Sequence, residues 1–435
     1  MKQFYDLRMV AAAGLTSCIA PILRSPKGEA MKKLKGRHKV MTAISEELKL
    51  QPGKPTVWVN ATSLGDFAIA KPLIDRLQGS CNIVITLHRP GGYDPLKREE
   101  SKYDNVFYLP WDSQQNAKRF LDLVKPSAAV FLEADFLPNY LEELKRRGVA
   151  TFLVAARADD SSVFSRFGGM HKRDLASFDK IFTIDEATAE KLREMGAKEV
   201  IASGDTLFDN AMATSMEPYN NDVVERFKGE KPLFVAGSIH MDDDMELIER
   251  LVKEFTDIRF LIVPYEVKPK VVTEIKKRLG LNIPSYSECL ESTVLPPANA
   301  LIVDYVGDLS RLYRYADYAY VGGGFTKHLH SVIEPCAYGI PLAFGPHKGR
   351  RAVADEMEEK GIAEKFTTYP QLRIWLSALN SDPEKHEAVK SKAQELFEAN
   401  MGASDKISKE ILDAAKKGPK PKSVSPETKA TASTK

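Results

Sequence analysis

The sequence predicts an α/β protein made of two doubly wound, Rossmann-like domains that face each other across a cleft. Short runs rich in β-branched residues alternate with amphipathic helical patterns, and this alternation stops once near the middle of the chain. The 435 residues also exceed what one hydrophobic core usually contains, which is roughly 250 to 300 residues. Two domains are therefore expected.

The first domain is predicted to extend over residues 51–212. Its strands are predicted at the runs TVWVNA, NIVITL, NVFYLP, AAVFLEA, ATFLVAA and KIFTID. Each run precedes an amphipathic stretch, which is the pattern of parallel βαβ units with helices on both faces of the sheet. A polar stretch without a strand follows, and we interpret its residues 213–231 as a linker.

The second domain is predicted to extend over residues 232–416. Its strands are predicted at PLFVAGS, RFLIVPY, ALIVDY, YAYVGG and PLAFG, and from about Tyr369 the pattern is helical only. Residues 417–435, KGPKPKSVSPETKATASTK, contain too few apolar side chains to form a core, so we expect a disordered tail there.

The N-terminal segment, residues 1–50, is predicted to associate with a membrane surface. The uncharged run from Met9 to Leu23 has 15 residues, fewer than the roughly 20 that span a bilayer as a helix. Between Arg24 and Lys39 seven basic residues accompany a single acidic one, which suits anionic head groups. Nucleic-acid binding is not predicted, because aromatic residues do not interrupt this basic segment and it matches no known module.

Two other interpretations of this segment stay open. The uncharged run is also compatible with an ordinary helix packed on the first domain. Alternatively, Leu15-Thr16-Ser17-Cys18 resembles a lipoprotein cleavage site. The four cysteines of the chain lie far apart without paired spacing, which argues against a disulfide framework and a zinc cluster and favours a reducing compartment.

In open α/β sheets ligands bind at the carboxyl ends of the strands, so the turns from strand to helix are the candidate sites. In the first such turn Ser63 and Asp66 have the spacing of a capping box, and Asp66 either caps the helix or accepts a proton from a substrate. In a second turn Glu133 and Asp135 follow an apolar strand, either to bind substrate hydroxyls or as the solvated start of a helix.

A third turn contains Gly322, Gly323 and Gly324, which allow the backbone to approach a ligand closely. The helix expected after them offers unpaired amides to a phosphate, and the alternative is an ordinary βα turn with polar residues on its surface. Turns at Ser238 and Gly307 are candidates to add further amides. No Asp-x-Asp at a strand end, no G-x-S-x-G and no GxGxxG in a first βα turn occurs, so we predict neither a metal site nor a dehydrogenase cofactor.

Four motifs in this order resemble the 3-deoxy-D-manno-octulosonic acid (Kdo) transferase family. They are WVNATSLGD, PNYLEELKRRG, SGDTLFD and the combination of YVGGG, HSVIEP and PLAFGP, and the resemblance extends to about residue 415. It implies a GT-B glycosyltransferase fold at the cytoplasmic face of the inner membrane, peripheral or monotopic. It also implies inverting, metal-independent transfer of Kdo from CMP-Kdo to a lipid A precursor in lipopolysaccharide biosynthesis.

The resemblance also implies roles for individual residues. Asp66 would be the general base, and Asp135 would orient the acceptor or Asp66. Residues implied to bind the donor are Ser238, His240, Gly307, Gly322, Gly323, Gly324, Lys327, His330, Ser331 and Glu334. Residues implied to bind the acceptor are Ser63, Gly65, Asn139 and Arg157.

The chain departs from the family pattern at several of these positions. The family usually has Glu where this chain has Asp66 and Asp135, and the aspartate reaches about 1.5 Å less. A misplacement of about 1 Å can lower a rate on the order of 100-fold. Further departures are Leu137 for Trp, Ile239 for Thr, Met241 for Glu and Ser331 for Asn. Two alternatives follow, a transferase for another CMP-ulosonic acid or acceptor and a catalytically weakened paralogue that binds at the membrane.

Overall fold

The computed structural model describes residues 2–22, 29–98, 102–157, 174–280, 282–292, 296–325, 329–349 and 352–420. The chain divides into two compact units, the first formed by residues up to 206 together with those from 402 onward, the second by residues 207–401. The candidate donor residue Lys327, part of the basic N-terminal segment and residues 421–435 of the predicted tail lie outside the described residues.

A seven-stranded parallel sheet forms the centre of the first unit. Its strands are β1 Thr56–Ala61, β2 Asn82–Leu87, β3 Val106–Tyr108, β4 Ala128–Leu132, β5 Ala150–Ala156, β6 Lys180–Thr183 and β7 Val200–Ala202. They are ordered β3-β2-β1-β4-β5-β6-β7, and each neighbouring pair is parallel. The order reverses at β1, which lies between β2 and β4, and such a switch point leaves a crevice at the carboxyl ends of the strands.

The second unit contains a six-stranded parallel sheet. Its strands are β8 Leu233–Ile239, β9 Arg259–Pro264, β10 Ala300–Ile302, β11 Tyr318–Val321, β12 Leu342–Phe344 and β13 Ala363–Lys365, in the order β10-β9-β8-β11-β12-β13. Leu233 and Val235 of β8 belong to one buried apolar cluster, while Phe234 and Ala236 belong to another. Because alternate side chains point to opposite faces, both faces of this sheet are covered, as in a doubly wound domain.

The described helices lie before, between and after the strands along the chain. They are α1 Lys2–Ile19, α2 Glu29–Arg37, α3 Val40–Glu47, α4 Leu64–Leu77, α5 Pro90–Arg98, α6 Gln114–Val124, α7 Pro138–Arg147, α8 Glu186–Glu194, α9 Thr206–Met216, α10 Asp222–Lys228, α11 Met245–Glu254, α12 Pro269–Leu279, α13 Tyr286–Cys289, α14 Leu309–Leu312, α15 Ile333–Cys336, α16 Ala352–Glu359, α17 Tyr369–Asn380, α18 Pro383–Asn400 and α19 Ala403–Lys417. Short 3₁₀ helices occur at Ala20–Ile22 and Tyr313–Tyr315.

Four features differ from the sequence-based expectation. The edge strands β7 and β13 were not predicted, since each has one buried residue and two exposed ones and so lacks an apolar run. Helix α10 occupies the middle of the predicted linker. Helix α19, which we expected in the second domain, packs in the first unit against α4. It also continues to Lys417, where we expected the tail to begin.

Helix α1 contains most of the uncharged N-terminal run, and one of its faces is partly buried while the other is exposed. On one face Thr16 is buried and its Oγ1 accepts a hydrogen bond of 2.8 Å from Trp111 Nε1. On the other face large apolar side chains are exposed, among them Phe4 at 67% and Leu7 at 66%. Among the residues that the structure describes, no helix is long and apolar enough to cross a bilayer.

One arginine of the basic segment that follows α1 is less exposed than the composition of the segment suggests. Arg37, at the end of α2, is only 6% exposed. Its Nε donates to the carbonyl oxygen of Leu109 at 2.7 Å, and its guanidinium lies 4.2 Å from the centre of the Trp111 ring. This arginine therefore packs within the first unit and is withdrawn from the basic surface.

The turns after β11 and β12 approach each other closely. A Cβ atom added at Gly324 would lie 2.5 Å from the backbone nitrogen of Gly345, which is closer than any side chain tolerates. Gly324 and Gly345 are therefore both required, because the backbones of the two turns pack directly against each other.

We expect Gly324→Ala to lower the free energy of unfolding of the second unit by about 1–3 kcal/mol, because the added methyl group must push two backbone segments apart. Gly91→Ala is the control, since a Cβ at Gly91 meets no atom within 4 Å. Denaturant unfolding of both variants measures the difference. Equal stability of the two variants would contradict the close approach.

Candidate active site

Asp66 lies at the start of α4, directly after β1. Ser63 is the N-cap residue, and its Oγ accepts a hydrogen bond from the backbone N–H of Asp66 at 3.3 Å. In return Asp66 Oδ2 accepts the backbone N–H groups of Ser63 at 3.1 Å and of Thr62 at 2.9 Å. The predicted capping box is thus formed, and it involves only one of the two oxygens of Asp66.

Asp66 also lines a cavity of about 310 Å³ in the first unit. The cavity lies at the carboxyl ends of β1, β2 and β4, at the switch point of the sheet. Its lining residues are Thr62, Ser63, Asp66, Arg89, Leu132, Glu133, Ala134 and Asp135. The structure therefore brings both candidate carboxylates, Asp66 and Asp135, to one cavity.

A chain of buried hydrogen bonds holds Asp135. Trp58 Nε1 donates to Thr86 Oγ1 at 2.8 Å, Thr86 Oγ1 donates to Asn60 Oδ1 at 2.7 Å, and Asn60 Nδ2 donates to Asp135 Oδ2. Trp58 is fixed in turn by ring contacts with Phe120, Phe131 and Tyr140. The aromatic core of the first unit thus sets the position of a carboxylate at the cavity.

Asn60 was not among the residues that the sequence singled out. It is fully buried on the same face of β1 as Trp58, two residues earlier. A buried amide side chain needs hydrogen-bond partners, and Asn60 has them on both of its polar atoms. The available signal was a polar residue inside the otherwise apolar run TVWVNA.

The surroundings of the two carboxylates favour their neutral forms. Burial raises the pKa of Asp66, although the amides of Thr62 and Ser63 and the charge of Arg89 act in the opposite direction. The pKa of Asp135 is raised to about 7, mainly by burial and then by the charges of Asp66 and Asp112. Hydrogen bonds from Asn60 and Thr62 act in the opposite direction and lower it. Two carboxylates at one cavity therefore have pKa values moved toward neutral pH, as is common for acid–base groups.

His88 follows β2 and contacts the same group. Its Nε2 lies 3.2 Å from Asn60 Nδ2 and 3.8 Å from Asp135 Oδ2. Burial, together with the positive charges of Arg37, Lys33 and Arg89, lowers the pKa of His88 to about 3. The ring is therefore neutral at pH 7 and does not form a salt bridge with Asp135 there.

Arg157 is held by two carboxylates near this cavity. Its Nη2 donates to Asp205 Oδ2 at 2.6 Å, and its Nε lies 3.4 Å from Oε1 of Glu133, a residue that lines the cavity. Burial alone would lower the pKa of Arg157, but the charges of Asp205, Glu133 and Asp185 and the hydrogen bond to Asp205 together raise it. Glu133 itself has a left-handed backbone with φ of 54°, which is uncommon for a residue with a side chain.

Asn139 and Gly65, which the resemblance implies to bind the acceptor, are not among the residues that line the cavity. Asn139 is 2% exposed, and its Nδ2 donates to Asp6 Oδ1 at 2.8 Å and to the carbonyl oxygen of Asp112 at 2.7 Å. Its amide group is thus engaged with α1 rather than with the cavity. Gly65 is exposed, and an added Cβ would contact only Ser63 Oγ at 3.6 Å.

In the second unit Asp244 joins two of the predicted turns. Its Oδ2 accepts the backbone N–H of His240 at 2.9 Å and of Gly323 at 3.0 Å, and its Oδ1 accepts the hydroxyl of Tyr320. Asp244 is fully buried, which raises its pKa against these bonds. The Asp244 side chain therefore fixes the turns after β8 and β11.

The same two turns bring His240 and His330 together. Their Nε2 atoms are 2.8 Å apart, and their rings are stacked with centres separated by 5.1 Å. Tyr265, at the end of β9, lies with its ring centre 4.7 Å from each of them and is 55% exposed. Tyr265 was not predicted as a site residue, and only its position after a strand could have indicated it.

The glycine turn lies directly against Ser238. A Cβ on Gly322 would lie 2.2 Å from the carbonyl oxygen of Ser238, so only glycine fits there. Ser238 has φ of 56°, a strained conformation of the kind found at functional sites. Gly307 also has a positive φ, 128°. Ser331 Oγ is buried without a hydrogen-bond partner among the described residues. Glu334 is half-buried at the start of α15.

Comparisons with known proteins agree with these features. Residues 32–210 match a family model described as 3-deoxy-D-manno-octulosonic-acid transferase (kdotransferase). The chain is 29% identical over 350 residues to the 3-deoxy-D-manno-octulosonic acid transferase of Aquifex aeolicus, covering 79% of this chain and 91% of the relative. It is 24% identical to the transferase of the same name from Haemophilus influenzae, covering 82% and 86%.

Solved structures with a similar fold include UDP-GlcNAc 2-epimerase from Neisseria meningitidis, with a TM-score of 0.57, 14% identity and coverage of 83% of this chain and 100% of that one. MurG from Acinetobacter baumannii is similar with a TM-score of 0.51 and 13% identity, covering 84% and 99%. These likenesses confirm the predicted GT-B fold. Taken with the sequence relatives, they show that the chain is a glycosyltransferase, similar over most of its length to 3-deoxy-D-manno-octulosonic acid (Kdo) transferases.

Proposed function

We propose that the protein transfers Kdo from CMP-Kdo to a lipid A precursor in lipopolysaccharide biosynthesis. The transfer proceeds with inversion and needs no bound metal ion. The observation that carries the proposal is the placement of Asp66 and Asp135 at one cavity at the switch point of the first sheet. The names of the relatives support the sugar that is transferred.

In this mechanism Asp66 is the general base. Its Oδ2 is held by two backbone amides, so the carboxylate keeps a fixed position at the cavity. Asp66 takes the proton from an acceptor hydroxyl, and the oxygen of that hydroxyl forms a bond to the anomeric carbon of Kdo. The bond from that carbon to the phosphate of CMP breaks, and CMP leaves. The raised pKa of Asp66 makes it a stronger base than an exposed aspartate.

The second unit holds the CMP group of the donor. The turns at Ser238 and Gly322 to Gly324 let the backbone approach the phosphate, and His240 and His330 lie beside them. Arg89, which is exposed at the cavity of the first unit, supplies a positive charge for an anionic acceptor. A matching acceptor is a phosphorylated lipid A precursor.

A second candidate function is transfer of another CMP-activated ulosonic acid, or transfer to another acceptor. The observation in its favour is that both cavity carboxylates are aspartates, one methylene shorter than the glutamates usual in the family. A panel of CMP-sugars distinguishes the two functions. Release of CMP only from a donor other than CMP-Kdo would favour the second function.

We expect Asp66→Asn to lower the rate of CMP release from CMP-Kdo, in the presence of a tetraacylated lipid A precursor, by on the order of 10²–10⁴-fold. Asparagine keeps an oxygen for the capping bonds but cannot accept the proton. Asp66→Glu is the matched control, since glutamate is the usual N3 residue of a capping box and keeps the base.

The native protein should be active, and Asp66→Glu should retain activity within about 100-fold of it. Native-like turnover of Asp66→Asn would exclude Asp66 as the base. If only Asp66→Glu releases CMP, the shorter aspartate side chain has abolished the activity of the native protein, which is the weakened-paralogue alternative.

We expect Asp135→Asn to stabilise the protein relative to the native form as the pH rises from 5 to 7. Folding raises the pKa of Asp135 from near 4 to about 7, so between these pH values the carboxyl ionises in the unfolded chain but stays protonated in the native protein, and the free energy of unfolding falls as the pH rises. The asparagine does not titrate. The difference in unfolding free energy should grow by at most a few kcal/mol and level off above pH 7, as measured by denaturant unfolding at several pH values. A difference that is constant with pH would contradict the raised pKa.

We also propose that α1 lies on the cytoplasmic face of the inner membrane, with its exposed apolar side chains in the lipid surface. Phe4→Ser with Leu7→Ser should weaken binding of the full chain to vesicles containing anionic lipid by at least about tenfold in a sedimentation assay. Ile374→Ser, at a 63% exposed apolar residue of α17, is the control. Undiminished binding of the double variant would remove the support for this surface.

A further inference from the structure

The start of α7 is fixed by a residue from another segment. Leu137 occupies the N-cap position, where it forms no side-chain hydrogen bond to the helix. Asp112, which follows β3, takes this role, since its carboxylate accepts the backbone N–H of Tyr140 at 3.1 Å and of Asn139 at 3.4 Å. Asp112 is 3% exposed, so its hydrogen bonds decide whether its charge is stabilised.

Helix α1 reaches the same place with two side chains. The hydroxyl of Tyr5 donates to Asp112 Oδ2 at 2.8 Å, and Asp6 Oδ1 accepts from Asn139 Nδ2 at 2.8 Å. Lys2 forms an ion pair with Glu142 of α7. The polar face of α1 is thus attached to the first turn of α7, while its exposed apolar side chains lie on the rest of its surface.

This attachment lies close to the candidate carboxylates. Asp135 precedes Pro138, the first residue of α7, by three positions, so the start of α7 restricts where Asp135 can lie. The charges are coupled as well. Asp112 is one of the groups that raise the pKa of Asp135, after burial and Asp66. Burial and then Asp112 raise the pKa of Tyr5, to which Asp135 also contributes.

We propose that Tyr5 and Asp6 are positioning residues for the active site, acting on Asp135 through Asp112 and Asn139 at the start of α7. The helix that carries the exposed apolar side chains is then also part of the scaffold of the catalytic carboxylates. The inference rests on the proposed function for its consequence in turnover, but the contacts themselves do not depend on it.

Tyr5→Phe in the full-length protein tests the proposal. The variant removes one hydroxyl and leaves the ring, so we expect kcat with CMP-Kdo and the lipid A precursor to fall about tenfold, the value of one hydrogen bond to a charged group. The KM for CMP-Kdo should not change. Thr16→Val is the matched control, because it removes the bond between α1 and Trp111 Nε1 but leaves Asp112 untouched.

The Thr16→Val protein should keep the native kcat. If Tyr5→Phe also keeps it, or if Thr16→Val loses as much activity, Tyr5 serves only to attach α1 and the proposal is wrong. A change confined to the KM for the lipid acceptor would likewise indicate attachment alone.

The pKa of Asp135, followed through its carboxyl carbon by NMR, separates this proposal from the proposed function. Loss of the Tyr5 hydroxyl removes a bond that lowers the pKa of Asp112. Asp112 then keeps its proton to higher pH and no longer repels the charge of Asp135, whose pKa should fall. The other groups that face the pair, all unchanged in the variant, are Asp6, Asn60, Thr62, Asp66, His88, Asn139 and Tyr140.

Asp135→Asn assigns the signal, and Thr16→Val should leave the pKa at its native value. If the pKa of Asp135 falls in Tyr5→Phe while the native protein shows no turnover, the positioning role is supported and the proposed function is contradicted. An unchanged pKa in an active enzyme contradicts the positioning role alone.

Discussion

An aspartate that accepts backbone amides where a strand ends organises each unit of this protein. Asp66 binds the amides of Thr62 and Ser63 after β1, and Asp244 binds those of His240 and Gly323 after β8 and β11. Hydrogen bonds to a charged acceptor are the stronger ones, and they satisfy amides that the strand and helix leave unpaired. The turns that carry the candidate site residues depend on these bonds.

The exposure of the two aspartates separates their roles. Asp244 is fully buried and also accepts the hydroxyl of Tyr320, so it serves the structure. Asp66 is half-buried and borders a cavity, and its capping bonds use one oxygen only. Capping and the proposed catalytic role are therefore compatible at Asp66, because the cap places the carboxylate at the cavity.

The same reasoning applies to the N-terminal helix. The sequence offered a membrane-surface helix and a helix packed on the first domain as alternatives. In the structure its polar side chains bind Asp112 and Asn139, whereas Phe4 and Leu7 are exposed. Packing on the protein thus leaves the apolar side chains available, so that the two interpretations are compatible. Arg37, in contrast, was counted with the basic surface and is buried against Trp111.

The sequence by itself determined the two α/β domains, most of the strands and the capping box, because apolar periodicity and cap spacing are local properties. It could not predict β7 and β13, whose exposed residues break the apolar pattern, or the return of α19 to the first unit. Only the tertiary structure decided that Asn60 holds Asp135, that Asp244 joins two turns and that Asn139 binds α1. These roles arise from partners that are distant along the chain, and a hydrogen bond between such partners has no signature in the spacing of either.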